Sequence, residues 1–189
     1  MGLRGTITPG RPLLVSAMPE EAAHLDAGLP VLLTGIGKVN AAAALAVTLA
    51  RGPLPSVVVN LGTAGALHPG LAGTHEVGSV IQHDLDGDLI HRMTGQTVAA
   101  PLVLADSGLV LATGDQFIND DEVRARLAAR AQLVDMEGYA LASVAQRFGV
   151  PIRIVKNVSD EAGDGAERTW QLAVDKCARL LAEWVREHL

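Results

Sequence analysis

Two stretches near the end of the chain place a carboxylate at the edge of an otherwise apolar segment. Glu137 lies within Leu133–Ala140, and Asp160 lies within Val155–Ala162. A buried carboxylate is costly unless it has a partner or a chemical task. Because α/β sheets bind ligands at the carboxyl ends of their strands, two acids at neighbouring strand ends should converge on one pocket. We therefore predict a site that contains both acids, and general acid–base catalysis is the chemistry that such acids support.

Four other features could belong to the same site, and each also has a purely structural interpretation. Gly35–Asn40 and Asn60–Ala66 are glycine-rich turns that could let the backbone approach a ligand, or could be simple tight turns. Neither matches the dinucleotide GxGxxG or the Walker pattern. Phe117 could stack on a ligand in a chain with only 3% aromatic residues, or could be a core phenylalanine. Glu20 and Glu21, taken alone, are typical of acids in the first turn of a helix.

The elements that must position these residues alternate between strands and helices. Apolar runs predict strands over residues 13–17, 30–34, 56–60, 77–84, 109–113, 133–134 and 152–155. Helices are predicted from residue 19 and over 39–50, 120–131, 137–148 and 170–187, with a loop or short hairpin over 84–101. This order predicts an α/β fold with a mostly parallel or mixed central sheet flanked by helices, in a three-layer sandwich. We predict one domain over residues 1–189.

Composition argues against several classes of function. The net charge of -6 gives no electrostatic footprint for nucleic acid or an anionic membrane surface. No apolar run approaches the ~20 residues of a membrane span, and no signal-type apolar block opens the sequence, so we expect a cytoplasmic protein. The six histidines lack metal-ligand spacing, and Cys177 is the only cysteine. We therefore expect no metal.

Six short motifs, taken in order, resemble the motif set of the nucleoside phosphorylase/hydrolase superfamily. The likeness is greatest to its 5'-methylthioadenosine/S-adenosylhomocysteine nucleosidase branch. Each motif alone is weak, but their order across residues 13–165 is specific. The motifs are Ala17–Glu21, Gly35–Ala42, Asn60–Gly65, Gly114–Ile118, Asp135–Glu137 and Val158–Ala162.

The resemblance implies two catalytic residues. Glu21 matches the glutamate that positions and activates the attacking water, and Asp160 matches the general acid that protonates the purine at N7. Ser159 would orient Asp160. Met136 and Glu137 match the residues that hold the ribose, with the carboxylate accepting hydrogen bonds from the 2' and 3' hydroxyls.

The resemblance also implies a base-binding wall and a floor for the pocket. Phe117 matches the ring that stacks on the base, and the backbone of Ile118 matches the group that contacts the base edge. The remaining predicted substrate-binding residues are Thr63, Ala64 and Gly65 in the floor, together with Ile36 and Asp135.

The function implied is hydrolysis of the N-glycosidic bond of a purine nucleoside by a homodimer without metal or organic cofactor. A phosphorylase is the first alternative, although Ser16–Glu21 contains no arginine and its acids would repel phosphate. A nucleoside-binding protein without turnover is the second. The chain is shorter than typical members before Gly35 and after residues 77–82. The substrate therefore stays open among methylthioadenosine, adenosylhomocysteine, deoxyadenosine, futalosine and other purine nucleosides.

Overall fold

A computed structural model describes residues 2–25 and 28–189 of the chain. Within these ranges one nine-stranded sheet is combined with five helices. The strands are β1 (Gly2–Arg4), β2 (Leu13–Ser16), β3 (Val31–Leu33), β4 (Val58–Ala66), β5 (Thr74–Gln82), β6 (Leu102–Val103), β7 (Leu109–Thr113), β8 (Leu133–Asp135) and β9 (Ile152–Asp160). The helices are α1 (Lys38–Ala50), α2 (Gly87–Thr94), α3 (Asp121–Ala128), α4 (Gly138–Arg147) and α5 (Ala166–His188).

Helices cover both faces of the sheet, as the alternation of strands and helices along the sequence predicts. In β2, Leu13 and Val15 pack in a cluster with Leu45 of α1 and Leu141 of α4. The intervening Leu14 packs in a second cluster with the side chains of α5. Successive side chains of a strand point to opposite faces, so one strand contributes to two cores. The prediction of an α/β fold with a mixed sheet between helical layers is confirmed.

Five strands of the sheet form a closed ring. β4 pairs with β9 in parallel and with β8 antiparallel, β9 pairs antiparallel with β5, and β5, β7 and β8 are joined by parallel pairing. In this register Gly65 of β4 lies beside Asp160 of β9 on one side and beside Val134 of β8 on the other. Ring closure therefore brings the carboxyl ends of β4 and β9 beside the short strand β8.

Two local predictions are wrong. Residues 19–24 form turns instead of a helix, because their backbone hydrogen bonds mix i→i+4 and i→i+3 spacing and do not propagate. Residues 84–101 contain helix α2 instead of a loop or hairpin. The Asp86 side chain caps its amino terminus by accepting from the Leu89 amide, and Gly95 ends it in a left-handed conformation.

Other boundaries differ by several residues. β4 extends to Ala66 and β9 to Asp160, so motifs predicted at strand ends lie inside strands. Helix α5 begins at Ala166, before the predicted residue 170. The strands β1 and β6 were not predicted. In the described ranges, none of the helices combines the length and the apolar character that crossing a bilayer requires.

Candidate active site

A cavity of about 280 Å³ opens where β4, β8 and β9 end, beside the segment after β2 and the first turns of α5. All of the residues predicted for the site line this one cavity, although they come from distant parts of the sequence. They are Glu21, Ile36, Thr63, Ala64, Gly65, Phe117, Ile118, Asp135, Met136, Glu137, Ser159 and Asp160.

Glu21 is held by one carboxylate oxygen. Its Oε1 accepts hydrogen bonds from the Thr63 amide at 2.7 Å and the Thr63 hydroxyl at 2.9 Å. Its Oε2 is buried and has no hydrogen-bond partner among residues 2–25 and 28–189. Glu21 is therefore a buried acid beside the cavity, not the solvated first-turn acid of a helix. Its orientation is fixed through one oxygen, while the other can still accept a proton.

Glu137 is hydrogen-bonded to the segment that carries Ile36. Its Oε1 accepts from the Gly37 amide at 2.7 Å, and Gly37 has φ 93, a conformation that favours glycine. Burial raises the pKa of Glu137 to about 8, and the nearby Asp135 carboxylate adds to the effect. Burial therefore favours the protonated form of this carboxyl group in the ligand-free protein, and that form can both donate and accept.

Replacing Glu137 by Gln should stabilise the protein in a pH-dependent way. The pKa of Glu137 is higher in the folded state than in the unfolded state, so its protonated carboxyl group stabilises the fold. This contribution to the unfolding free energy is complete below pH 4.5 and is lost as the pH rises to about 8. The variant should therefore gain stability over the wild type between these values, and the gain in unfolding free energy should be more than about 2 kcal/mol at pH 9. Urea unfolding at pH 5, 7 and 9 measures the difference, with the exposed Glu20→Gln as control. A difference that does not vary with pH would contradict this account.

Beneath the cavity, Asp135 and Lys156 form a buried ion pair. Lys156 is 1% exposed, and its Nζ lies 2.9 Å from Asp135 Oδ2. Burial lowers the pKa of Lys156, but the surrounding acids outweigh it, so the pKa is raised and the side chain stays charged. Asp135 also accepts from the Thr113 hydroxyl at 2.6 Å and the Gly138 amide at 2.8 Å. Its acceptors are thus used to hold Lys156 and the start of α4.

The surroundings of Asp160 favour its protonated form, as a group that donates a proton requires. Its Oδ2 accepts from the Ser159 hydroxyl at 2.8 Å and its Oδ1 from the Ala162 amide at 2.9 Å. Burial raises the pKa of Asp160 against these two hydrogen bonds. A Cβ at Gly65 would come within 3.0 Å of Asp160 Oδ1 and 2.9 Å of the Ala162 methyl carbon, so this position requires glycine for room.

The loop after β7 forms another wall of the cavity. Phe117 is 39% exposed and lines the cavity, so it is not a core phenylalanine, whereas Ile118 is buried. Asp115 fastens this loop to the segment before α1 by accepting from the Lys38 amide at 2.7 Å. The Lys38 ammonium in turn reaches Asp84 Oδ1 at 2.5 Å, and Asp84 Oδ2 accepts from the Asp115 amide.

Several lining residues were missed by the sequence analysis. Trp170, Glu167 and Gln171 come from the first turns of α5, for which only a general helical character was predicted. Trp170 is one of only two tryptophans, and this rarity was the available signal. Lys156, which does not line the cavity but pairs with Asp135, was missed as well, although a charged residue inside an apolar strand was a signal. The other missed lining residues are Ala17, Met18, Gln116 and Val134.

Comparison with known proteins gives both sequence and fold relatives. The family model of the phosphorylase superfamily matches residues 84–187. The 5'-methylthioadenosine/S-adenosylhomocysteine nucleosidase of Geobacillus thermodenitrificans is 31% identical over 210 aligned positions, covering 97% of this chain and 88% of the relative. The Bacillus subtilis protein of the same name is 31% identical, covering 91% of this chain and 88% of the relative.

Two solved structures from Helicobacter pylori share the fold. Futalosine hydrolase superposes with a TM-score of 0.82 at 23% identity and covers 94% of this chain and 96% of its own. The 5'-methylthioadenosine/S-adenosylhomocysteine nucleosidase with butyl-thio-DADMe-Immucillin-A also has a TM-score of 0.82 at 23% identity. The superposition covers 95% of this chain and 97% of the nucleosidase chain. The chain therefore belongs to the phosphorylase superfamily, among the relatives of the 5'-methylthioadenosine/S-adenosylhomocysteine nucleosidases.

Proposed function

We propose that this protein hydrolyses the N-glycosidic bond of a purine nucleoside and releases the free base and the free sugar. One observation carries the proposal. A single cavity contains Glu21, which has one buried oxygen without a hydrogen-bond partner among the residues that the structure describes, and Asp160, whose pKa is raised by burial. These are the two acids that the reaction needs, one to accept a proton from water and one to give a proton to the leaving base.

The reaction proceeds by displacement of the base by water. Glu21 takes a proton from the water, whose oxygen forms a bond to C1' of the sugar. The bond from C1' to N9 breaks, and its electron pair moves into the purine, which takes a proton at N7 from Asp160. Glycosidic cleavage passes through an oxocarbenium-like sugar, so nearby carboxylates stabilise the positive charge that develops.

Substrate binding is assigned to the remaining lining residues. Phe117 stacks on the purine, and the backbone of Ile118 contacts its edge. Met136 and Glu137 hold the ribose, with Glu137 bonding the 2' and 3' hydroxyls. The floor is formed by small residues of β4 that keep the backbone close to the ligand, namely Thr63, Ala64 and Gly65, while Ser159 orients the acid and Ile36 closes one side.

Phosphorolysis fits the cavity less well. None of the described residues that line it is an arginine or a lysine, and five of them are acids. The nearest buried cation, Lys156, is paired with Asp135. A phosphate dianion beside Glu21 would meet like charge, and the described lining residues offer no cation to compensate it, so water is the favoured nucleophile.

We propose an adenine nucleoside with a 5' thioether, such as methylthioadenosine, as the first substrate to test. The names of the sequence relatives support this choice, and the cavity offers apolar side chains such as Met18 and Ile36. Futalosine is the second candidate, because a futalosine hydrolase shares the fold over nearly the whole chain.

A panel of purine nucleosides tests the function. The protein is incubated with methylthioadenosine, adenosylhomocysteine, deoxyadenosine and futalosine, with and without phosphate, and the products are identified by mass spectrometry. We expect free base and free sugar at a rate that is independent of phosphate. A sugar 1-phosphate would establish a phosphorylase, and saturable binding without products would establish a nucleoside-binding protein.

We also propose that the protein is a cytoplasmic homodimer. Large apolar side chains are exposed on α1 (Val39, 77%), α2 (Met93, 74%) and β6 (Val103, 77%), and an interface that included them would remove this apolar surface from water. Light scattering after gel filtration should give twice the 19.7 kDa of one chain. The Val39→Asp variant should weaken this dimer if α1 is in the interface, and a wild-type mass of one chain would refute the dimer. Cell fractionation tests the location.

A further inference from the structure

The indole of Trp170 is linked to Glu21 through the hydroxyl of Thr63. Trp170 Nε1 lies 3.0 Å from Thr63 Oγ1, and Thr63 Oγ1 lies 2.9 Å from Glu21 Oε1. An indole N–H can only donate, so Thr63 Oγ1 must accept there. Glu21 Oε1 is the acceptor of the Thr63 hydroxyl, so the single hydroxyl proton of Thr63 points at Glu21. The chemistry of the three groups therefore fixes the direction of both hydrogen bonds.

This relay determines which oxygen of Glu21 is left for chemistry. Oε1 receives two donors from Thr63, the amide and the hydroxyl, while Oε2 receives none from the described residues. The carboxylate is also enclosed on the side of β4, because a Cβ at Gly62 would lie 3.2 Å from Oε1 and 3.1 Å from Lys156 Nζ. Glu21 is thus held by one oxygen with little room to rotate.

We propose that Trp170 is a positioning residue that acts through Thr63 to hold Glu21 with Oε2 directed at the attacking water. This inference rests on the proposed hydrolysis. Hydrogen bonds in series polarise one another, so the indole N–H strengthens the hydrogen bond from the Thr63 hydroxyl to Glu21 Oε1. Trp170 lies in the first turns of α5, so the arrangement of the active site also depends on the position of this part of the helix. As a mere wall of the cavity, Trp170 would affect only substrate affinity.

Removing the indole N–H while keeping an aromatic ring tests the relay. Trp170→Phe should lower kcat by about 5-fold, the effect expected of one hydrogen bond, with KM changed by less than about 2-fold. Trp184→Phe is the matched control, because Trp184 packs at the other end of α5 against His188 and Arg153. The control should leave kcat unchanged. If Trp170→Phe does not fold by circular dichroism, Trp170→Leu supplies a second apolar side chain that has no hydrogen-bond donor at that place.

A double-mutant cycle distinguishes action through Thr63 from any direct effect. Thr63→Ala should lower kcat, and adding Trp170→Phe to it should cause no further loss, because the link is already broken. Thr63→Ser keeps the hydroxyl and should recover most of the activity that Thr63→Ala loses, together with the sensitivity to Trp170→Phe. Losses that multiply in the Thr63→Ala background would overturn the relay.

The outcomes also separate this inference from the proposed function. An active wild type whose Trp170→Phe variant keeps its kcat, or changes KM alone, would overturn the role of Trp170 and leave the hydrolysis intact. A wild type that is inactive on the whole nucleoside panel would overturn the proposed function, and the relay with it.

Discussion

The Asp160→Asn variant should turn over its nucleoside at least about 100-fold more slowly than the wild type, in line with the loss of a general acid. A leaving purine is a poor anion, so bond cleavage needs a proton at N7. Asparagine has nearly the same shape, and its carbonyl oxygen can still accept from the Ala162 amide as Oδ1 of Asp160 does. The fold should therefore survive while the proton is lost, and kcat should fall much more than KM rises.

A substrate that needs no acid makes this prediction specific. With a nitrophenyl riboside, whose leaving group departs without a proton, Asp160→Asn should lose far less activity than with a purine nucleoside. Asp164→Asn makes the same chemical change at an exposed position nearby and should behave as the wild type. Equal losses on both substrates would indicate damage to the site, and unchanged purine release would remove Asp160 from the mechanism.

The Glu21→Gln variant should lower kcat by about 100-fold to 10,000-fold, the range expected for a general base. The amide oxygen of glutamine can still accept from Thr63, as Oε1 does now. The group that replaces Oε2 cannot take a proton from water. Steady-state kinetics with the best substrate of the panel measures the effect, and the exposed neighbour Glu20→Gln is the matched control.

Binding measurements show whether the loss in Glu21→Gln is one of chemistry. Isothermal titration with the same nucleoside should give a dissociation constant within a few-fold of the KM of the wild type, because Phe117 and Glu137 remain. A variant that still releases base at a third or more of the wild-type rate would show that Glu21 is not the base.

Elements that depend on neighbouring residues in the chain could be predicted from the sequence. The apolar runs of β2 and β7 could be identified because a strand that is covered on both faces needs consecutive apolar side chains. The acidic residues could be identified because Glu137 and Asp160 are polar groups in segments that are otherwise buried, which is costly without a task.

The features that escaped prediction depend on partners distant in sequence. The strand ring closes through the pairing of β9 with β5, and the composition of neither strand predicts this pairing. Trp170 enters the cavity because Thr63, 107 residues earlier, accepts its N–H. Lys156 is tolerated in β9 only because the charge of Asp135 lies beside it. In α2, by contrast, the Asp86 cap and the Gly95 terminus were local signals, outweighed by the polar composition of the segment.

The most direct test of the whole account is the crystal structure of the Asp160→Asn variant with methylthioadenosine bound. We expect the ribose hydroxyls within hydrogen-bond distance of Glu137, purine N7 facing residue 160, and a water molecule between Glu21 Oε2 and C1' on the face of the sugar opposite the base. A nucleoside bound with its purine against Glu21, or outside this cavity, would contradict the account.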